Sequence, residues 1–252
     1  MKFRFATRMW ERDKKVFLGR ATSCFWPPLA QGLLYLIALG YGLGNFVAEI
    51  DGMPYMMFIA PGLVAATAMN IATATCSYEV FGKIEWTHEY FSILTTPLTA
   101  NDVVFGEILW GSTLAVIQAG LLLCLFACFG LITSSYALFV PIILFIEAMG
   151  FSAMGMLFTG LIKNFHSINY LGALVISPMF FFSDIFFPIA SLHPYFQVIA
   201  WFFPLYHAVE PVRALCIGKP TASVFTDILW LVIFALLMCL FSIKIMNRRL
   251  VK

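Results

Sequence analysis

Residues 136–162 read YALFVPIILFIEAMGFSAMGMLFTGLI, and a single charge, Glu147, interrupts them. A run this long and this apolar is read as a helix crossing a membrane, since about 20 such residues at 1.5 Å each cover the hydrocarbon. Five more apolar runs flank it, at 24–43, 57–78, 108–131, 171–187 and 228–243. The composition agrees. Charged residues make up 11% of the chain and hydrophobic residues 62%, with Phe at 27 positions, where a soluble chain is about a quarter charged. A water-facing surface cannot be built from so few charges, so the expected fold class is an all-α polytopic membrane protein with six transmembrane helices. The six runs use about half of the 252 residues, so a single transmembrane domain over 1–252 is expected, with no room for a soluble one.

Basic residues set the orientation. Of the 15 Lys and Arg, only Arg213 and Lys219 fall in segments that would be external if the N-terminus lies inside. Lys and Arg favour cytoplasmic loops, so a bacterial inner-membrane protein with both ends inside is expected. The net charge of +2 is then a consequence of topology and points to no nucleic-acid partner. The basic lead and the apolar run after it are each too long for a cleavable signal peptide, so the first span is expected to stay.

The cysteines form no CxxC pair, Cys124 and Cys128 lie one helical turn apart inside a span, and His88, His166, His193 and His207 are dispersed. Helix packing rather than metal binding is expected of them.

Between the spans, four segments carry information. Residues 2–20 place Arg4, Arg8 and Arg12 on one stripe and Phe5, Ala6, Met9, Trp10, Val16 and Phe17 on a face that Asp13 interrupts, which predicts an amphipathic interface helix over 1–20. Residues 83–94 read as one short helix, with Glu85, His88, Glu89 and Ser92 on a polar face and Ile84, Thr87, Phe91 and Leu94 opposite. Trp86 and Tyr90 flank them, Pro97 stops the helix, and Asn101 or Asp102 is placed to cap the next. A plain interfacial connector fits that composition equally well. The fifth run is short and interrupted by Ser177-Pro178. After it, Pro188, Pro194, Pro204, Pro211 and Pro220 punctuate residues 188–222, which predicts short helices folding partly back into the membrane from outside. Lys244, Arg248 and Arg249 end the last run, where they are expected to snorkel to the inner interface.

No motor is visible. The nearest approach to GxxxxGK[ST] is Gly218-Lys219, followed by Pro220, and there is no GxSxG, HExxH or intramembrane aspartate pair. Energy must come from an ion gradient or from another subunit.

Several short motifs carry a family resemblance. Phe58-Ile59-Ala60-Pro61-Gly62-Leu63 resembles the F-x-x-P-G-[LI] element of ABC-2 type membrane subunits. Glu89 to Leu98, with Gly106-Glu107 beyond, is similar to that family's E-x-L-x-x-[TS]-P loop and its following G-[KE] pair. Phe203-Pro204-Leu205-Tyr206-His207 through Arg213 resembles its N-P-L-x-[YH]…R stretch, with Phe203 where the family often has Asn. Size and pattern are most similar to nodulation-factor-type (lipo-oligosaccharide) export permeases. The resemblance implies an exporter of two permease copies and two separate ABC ATPase subunits. It implies no cofactor in this chain, ATP and Mg being held by the partner. It also implies that 83–94 is the coupling helix, with Lys83, Glu85, Trp86, His88, Glu89, Tyr90 and Phe91 facing the ATPase.

Candidate substrate-path residues are Glu147, Phe180, Phe181, Phe182, Asp184 and Arg213. A carboxylate at mid-span marks a cavity or a function, or else serves as a hydrogen-bonded strut. The phenylalanines read as an apolar lining near the exit or as lipid contact. Arg213 reads as a headgroup ligand or as an interface anchor. The expected substrate is amphipathic: a lipid-linked saccharide, a lipid or a hydrophobic drug. The alternative is a proton-coupled secondary transporter using Glu147, which would need several deep titratable groups where one is found. A membrane-embedded enzyme would need paired catalytic residues, which are absent.

Overall fold

The computed structural model describes residues 3–19, 21–42, 44, 46–47, 49–50, 52–219 and 223–250, with side chains for all of these except 3–6 and 21–25. Lys2, Arg20, Asp51, Pro220 and Lys252, and the side chains of Arg4, Phe5, Ala6 and Cys24, lie outside the described residues. The chain is helical almost throughout. α1 (Phe3–Leu18) and α2 (Ala21–Gly42) precede a two-residue hairpin, Glu49–Ile50 against Met53–Pro54, at the short acidic loop. Then follow α3 (Tyr55–Glu85), α4 (Glu89–Leu94), α5 (Ala100–Cys128), α6 (Ser135–Leu161), α7 (Phe165–Phe182), α8 (Pro194–Trp201), α9 (Pro204–Ile217) and α10 (Ser223–Leu250).

Five of these, α3, α5, α6, α7 and α10, are long and apolar enough to cross a membrane. α2 stands at the first expected span with 22 residues and no charge, but Pro27, Pro28 and Gln31 interrupt its apolar run. α3 is the central element: 72% of its apolar window is buried, against 22% for α7 and α10. It packs on α2, α5, α6 and α9, while α10 closes the far side against α6 and α9.

Small residues let the central helices approach. A Cβ on Gly155 of α6 would lie 2.7 Å from the Thr73 carbonyl oxygen of α3, and one on Gly111 of α5 would lie 2.8 Å from Cys76 Sγ. At this crossing α3 widens into a π turn, Thr75–Glu79, which leaves carbonyls without their usual partners. Thr159 Oγ1 answers by donating toward the oxygens of Cys76 and Ser77, at 3.1 and 3.3 Å. A second π turn, Gly172–Ile176, accommodates Pro178, whose missing N–H and ring would otherwise disturb the turn before it. The fifth run is therefore not interrupted at Ser177-Pro178. Its helix starts earlier, at Phe165, and continues to Phe182.

Three further expectations change. α3 does not stop near residue 78 but runs to Glu85, so 83–94 is not one helix: Trp86 ends α3, His88 takes a left-handed φ of 52°, and α4 starts afresh at Glu89. His88 Nδ1 lies 3.1 Å from the Ile84 carbonyl, a C-terminal capping contact that continuous helix would exclude. The N-cap of α5 is Thr99, with Asp102 returning a bond to the Thr99 N–H at 3.1 Å. Arg249 does not simply snorkel. Its guanidinium donates to the Ile162 carbonyl at 2.8 Å, and to that of Thr159, capping the end of α6.

The prolines of 188–219 do break the segment into short helices. α9 lies inside the bundle, packed on α3, α6 and α10, and ends at Gly218 with φ 82°.

Candidate functional site

The end of the bundle where α1, the C-terminus of α3 and the N-terminus of α5 meet holds a buried ion cluster. Lys83 Nζ, on the last turn of α3, lies 2.8 Å from both carboxylate oxygens of Glu107 on α5 and 3.1 Å from Asp13 Oδ1 on α1. Arg12 continues the chain of charges, at 3.0 Å from Asp13 and 2.9 Å from Glu89 on α4. Glu107 is fully buried and Asp13 nearly so. Buried charges require this kind of mutual pairing, because each alone would lose its hydration without return. Around the ions, Met9, Val80, Ile84, Tyr90, Val103, Ile108 and Met246 form an apolar cluster drawn from α1, α3, α4, α5 and α10. With Ala153 and Met156 of α6 in the same cluster, one compact joint ties six helices together.

This joint redistributes the residues assigned to the coupling face. Lys83 points into the joint instead of out of it, and Tyr90 is fully buried. Glu85 is paired with Arg249 at 2.6 Å and Glu89 with Arg12, although both remain half-exposed. Trp86 and Phe91 remain 64% and 55% exposed, with the Trp86 ring 5.0 Å from that of Phe165 on α7. Two residues that carry the joint, Asp13 and Glu107, were not among the expected site residues. Their signals were in view: Asp13 interrupts the apolar face of α1, and Glu107 stands at the head of an apolar run.

Beside the joint a groove of about 770 Å³ opens between α1, α2, α3 and α5. Its floor is charged, with Arg12, Asp13, Lys83 and Glu89, and its walls are mostly apolar and aromatic, including Trp86 and Trp110. Pro28, Ile71 and Ala74 are shared with a second groove of about 210 Å³ that continues between α2 and α3 as far as Phe180. Together they form an amphipathic channel along one side of the chain, polar at one end and apolar along its length.

At the opposite end, Arg213 of α9 is enclosed. It donates to both a side-chain oxygen and the backbone carbonyl of Asp184, to the Phe58 carbonyl at 3.3 Å, and lies 3.4 Å from Glu210. Its guanidinium also covers the Phe58 ring at 3.9 Å. Asp184, at φ 63°, accepts from the Ile189 N–H at 2.7 Å as well. The Asp184–Arg213 pair is therefore a clasp between α9 and the turn after α7, not a free cation facing outward. Nearby, His207 is held between Asp227 of α10 at 2.7 Å and the Trp201 carbonyl at 2.8 Å.

Of the remaining expected path residues, Phe180 and Phe181 meet edge to face at 5.4 Å. Phe180 lines the apolar groove beside Tyr35, Phe181 is 54% exposed, and Phe182 stacks on Phe196 of α8. Glu147 lines none of these cavities; it is wholly buried in α6, and neither carboxyl oxygen has a hydrogen-bond partner among the described residues.

Comparison with known proteins follows the same outline. The family model for the ABC-2 type transporter matches residues 6–217. Nodulation protein J of Rhizobium leguminosarum bv. viciae is 33% identical over 97% of this chain and 94% of its own length. Nodulation protein J of Sinorhizobium fredii is 29% identical over 96% and 92%. The inner membrane transport permease YadH of Escherichia coli is 23% identical over 90% and 88%.

Proposed function

The chain belongs to the ABC-2 type transporter family, and from that premise we propose that it is the permease subunit of an ATP-driven exporter, working as two copies with two separate ATPase subunits. In this reading α2 joins the five long helices as a sixth span, both termini are cytoplasmic in a bacterial inner membrane, and the α8–α9 segment re-enters from outside. ATP and Mg are bound and used by the partner. This chain supplies the path.

One observation carries the reading: Trp86 and Phe91 stand exposed on a joint whose ions bind α1, α3, α4 and α5 to one another. Exposed aromatic side chains beside half-exposed carboxylates suit a groove on a protein partner. A partner that moved α4 would transmit the displacement through Glu89 and Arg12 to α1, and through Tyr90 and the apolar cluster to the foot of α3. Closure of an ATPase dimer would then change the spacing of α1, α2 and α3, whose walls form the amphipathic channel. That channel accommodates a substrate with a polar head and a long apolar part, drawn from the cytoplasm or inner leaflet. A lipid, a hydrophobic drug or a lipid-linked saccharide fits, and resemblance to lipo-oligosaccharide export permeases makes the last the first class to test. A proton-coupled carrier built on Glu147 has less support, because among the described residues Glu147 faces neither the channel nor another titratable group in hydrogen-bond reach.

The test is co-purification of an ABC ATPase subunit with the tagged full chain, followed by reconstitution of both in vesicles. ATP-dependent movement of a labelled glycolipid that stops when the ATPase is omitted supports the proposal. Movement driven by a pH gradient across vesicles holding the chain alone refutes it.

A further inference from the structure

The clasp at Arg213 borders an open cavity of about 460 Å³ lined by the outer end of α3, the turn after α7, and α8 and α9. Its charges do not balance. Asp184 and Glu210 bring two carboxylates and Arg213 one guanidinium. Four of the five guanidinium N–H donors are engaged, by Asp184, the Phe58 carbonyl and Glu210, and its face covers the Phe58 ring. Asp184 is engaged too, by Arg213, by the Ile189 N–H and by Glu210. Glu210 differs. Its contact with Arg213 is long, at 3.4 Å, it also lies within hydrogen-bond reach of Asp184, and its side chain is 37% exposed. Trp201 and Tyr206 stand in the same wall.

We propose that this cavity is a binding site for an organic ammonium group, which would pair with Glu210 and lie against the faces of Trp201 and Tyr206. Carboxylate and aromatic faces together are the chemistry that recognises alkylammonium ions. Two carboxylates against one guanidinium disfavour an anionic headgroup, and the volume lies within the range of small-molecule sites.

Two sources of the ammonium are possible, the headgroup of an ethanolamine phospholipid and an amine carried by a soluble or transported molecule. Calorimetry of the full chain in detergent with n-butylammonium tests the shared chemistry. Saturable binding is expected. Glu210→Gln should weaken it by about tenfold or more, and Trp201→Leu by several-fold. Absence of saturable binding, equal binding of butyrate, or unchanged affinity in a folded Glu210→Gln chain overturns the proposal. In nanodiscs, loss of butylammonium binding with phosphatidylethanolamine but not phosphatidylglycerol assigns the site to lipid. Binding retained in both assigns it to a non-lipid amine.

Discussion

Replacing Lys83 with Met should destabilise the chain more than any single surface change. The side chain is similar in length, so the cavity left is small and the effect is electrostatic. Lys83 meets Glu107 through two contacts of 2.8 Å and Asp13 through one of 3.1 Å. Removing it strands Glu107 in a fully buried position, while Asp13 keeps Arg12. Breaking one side of a buried pair costs about 3–5 kcal/mol. At roughly 2–4 °C per kcal/mol for a chain of this size, melting should fall by on the order of 10 °C. Adding Glu107→Gln removes the stranded charge and should restore part of the loss, giving a coupling of about 1–3 kcal/mol. The control is Glu85→Gln, which breaks the half-exposed pair with Arg249 and should cost no more than about 1 kcal/mol. Buried Cys76, Cys216 and Cys239 provide the assay, because a thiol-reactive dye reaches them only on unfolding. If Lys83→Met melted within about 2 °C of the parent chain, or if the two substitutions simply added, the buried joint would not exist as described.

Trp86→Ala with Phe91→Ala should sharply reduce recovery of the ATPase partner while leaving melting within about 2 °C, since both side chains are exposed; parallel pull-downs and melts check this. Glu85→Lys with Glu89→Lys should also weaken partner recovery without preventing insertion. Gly155→Ala should cost about 1–3 kcal/mol, because its Cβ would meet the Thr73 backbone at 2.7 Å, whereas Gly120→Ala, with nothing within 4 Å, should be neutral or gain up to about 1 kcal/mol in the same melts. Glu147→Gln should leave transport and melting unchanged if the side chain is a strut; abolished transport with normal melting would show that its ionisation is used.

The apolar runs were legible because lipid imposes its demand on every residue of a span. Residues 57–78 fall inside α3, while 108–131 and 136–162 overrun the ends of α5 and α6 at Cys128 and Leu161. The broken course of 188–219 was legible in its prolines. The joint was not. Periodicity over 83–94 fits one amphipathic helix, yet Trp86 and His88 break it, and nothing local reports that Lys83 has partners 24 and 70 residues away in sequence. Local pattern shows which residues need a polar surrounding, but not whether solvent, a partner or the chain itself provides it. For Glu85 and Glu89 the chain itself provides Arg249 and Arg12, and for Arg213 it provides Asp184. The same limit applied to Asp13, readable as a blemish on an amphipathic face and found as a buried ligand of Lys83.

The most direct measurement is photo-crosslinking in intact cells from a benzophenone side chain installed at position 91 of the full-length chain. An adduct with an ATP-binding cassette subunit is predicted, increased when nucleotide hydrolysis is blocked. Absence of any such adduct, together with labelling of a cysteine at the same position by a membrane-impermeant reagent added outside, would contradict a partner-driven permease gripped at this joint.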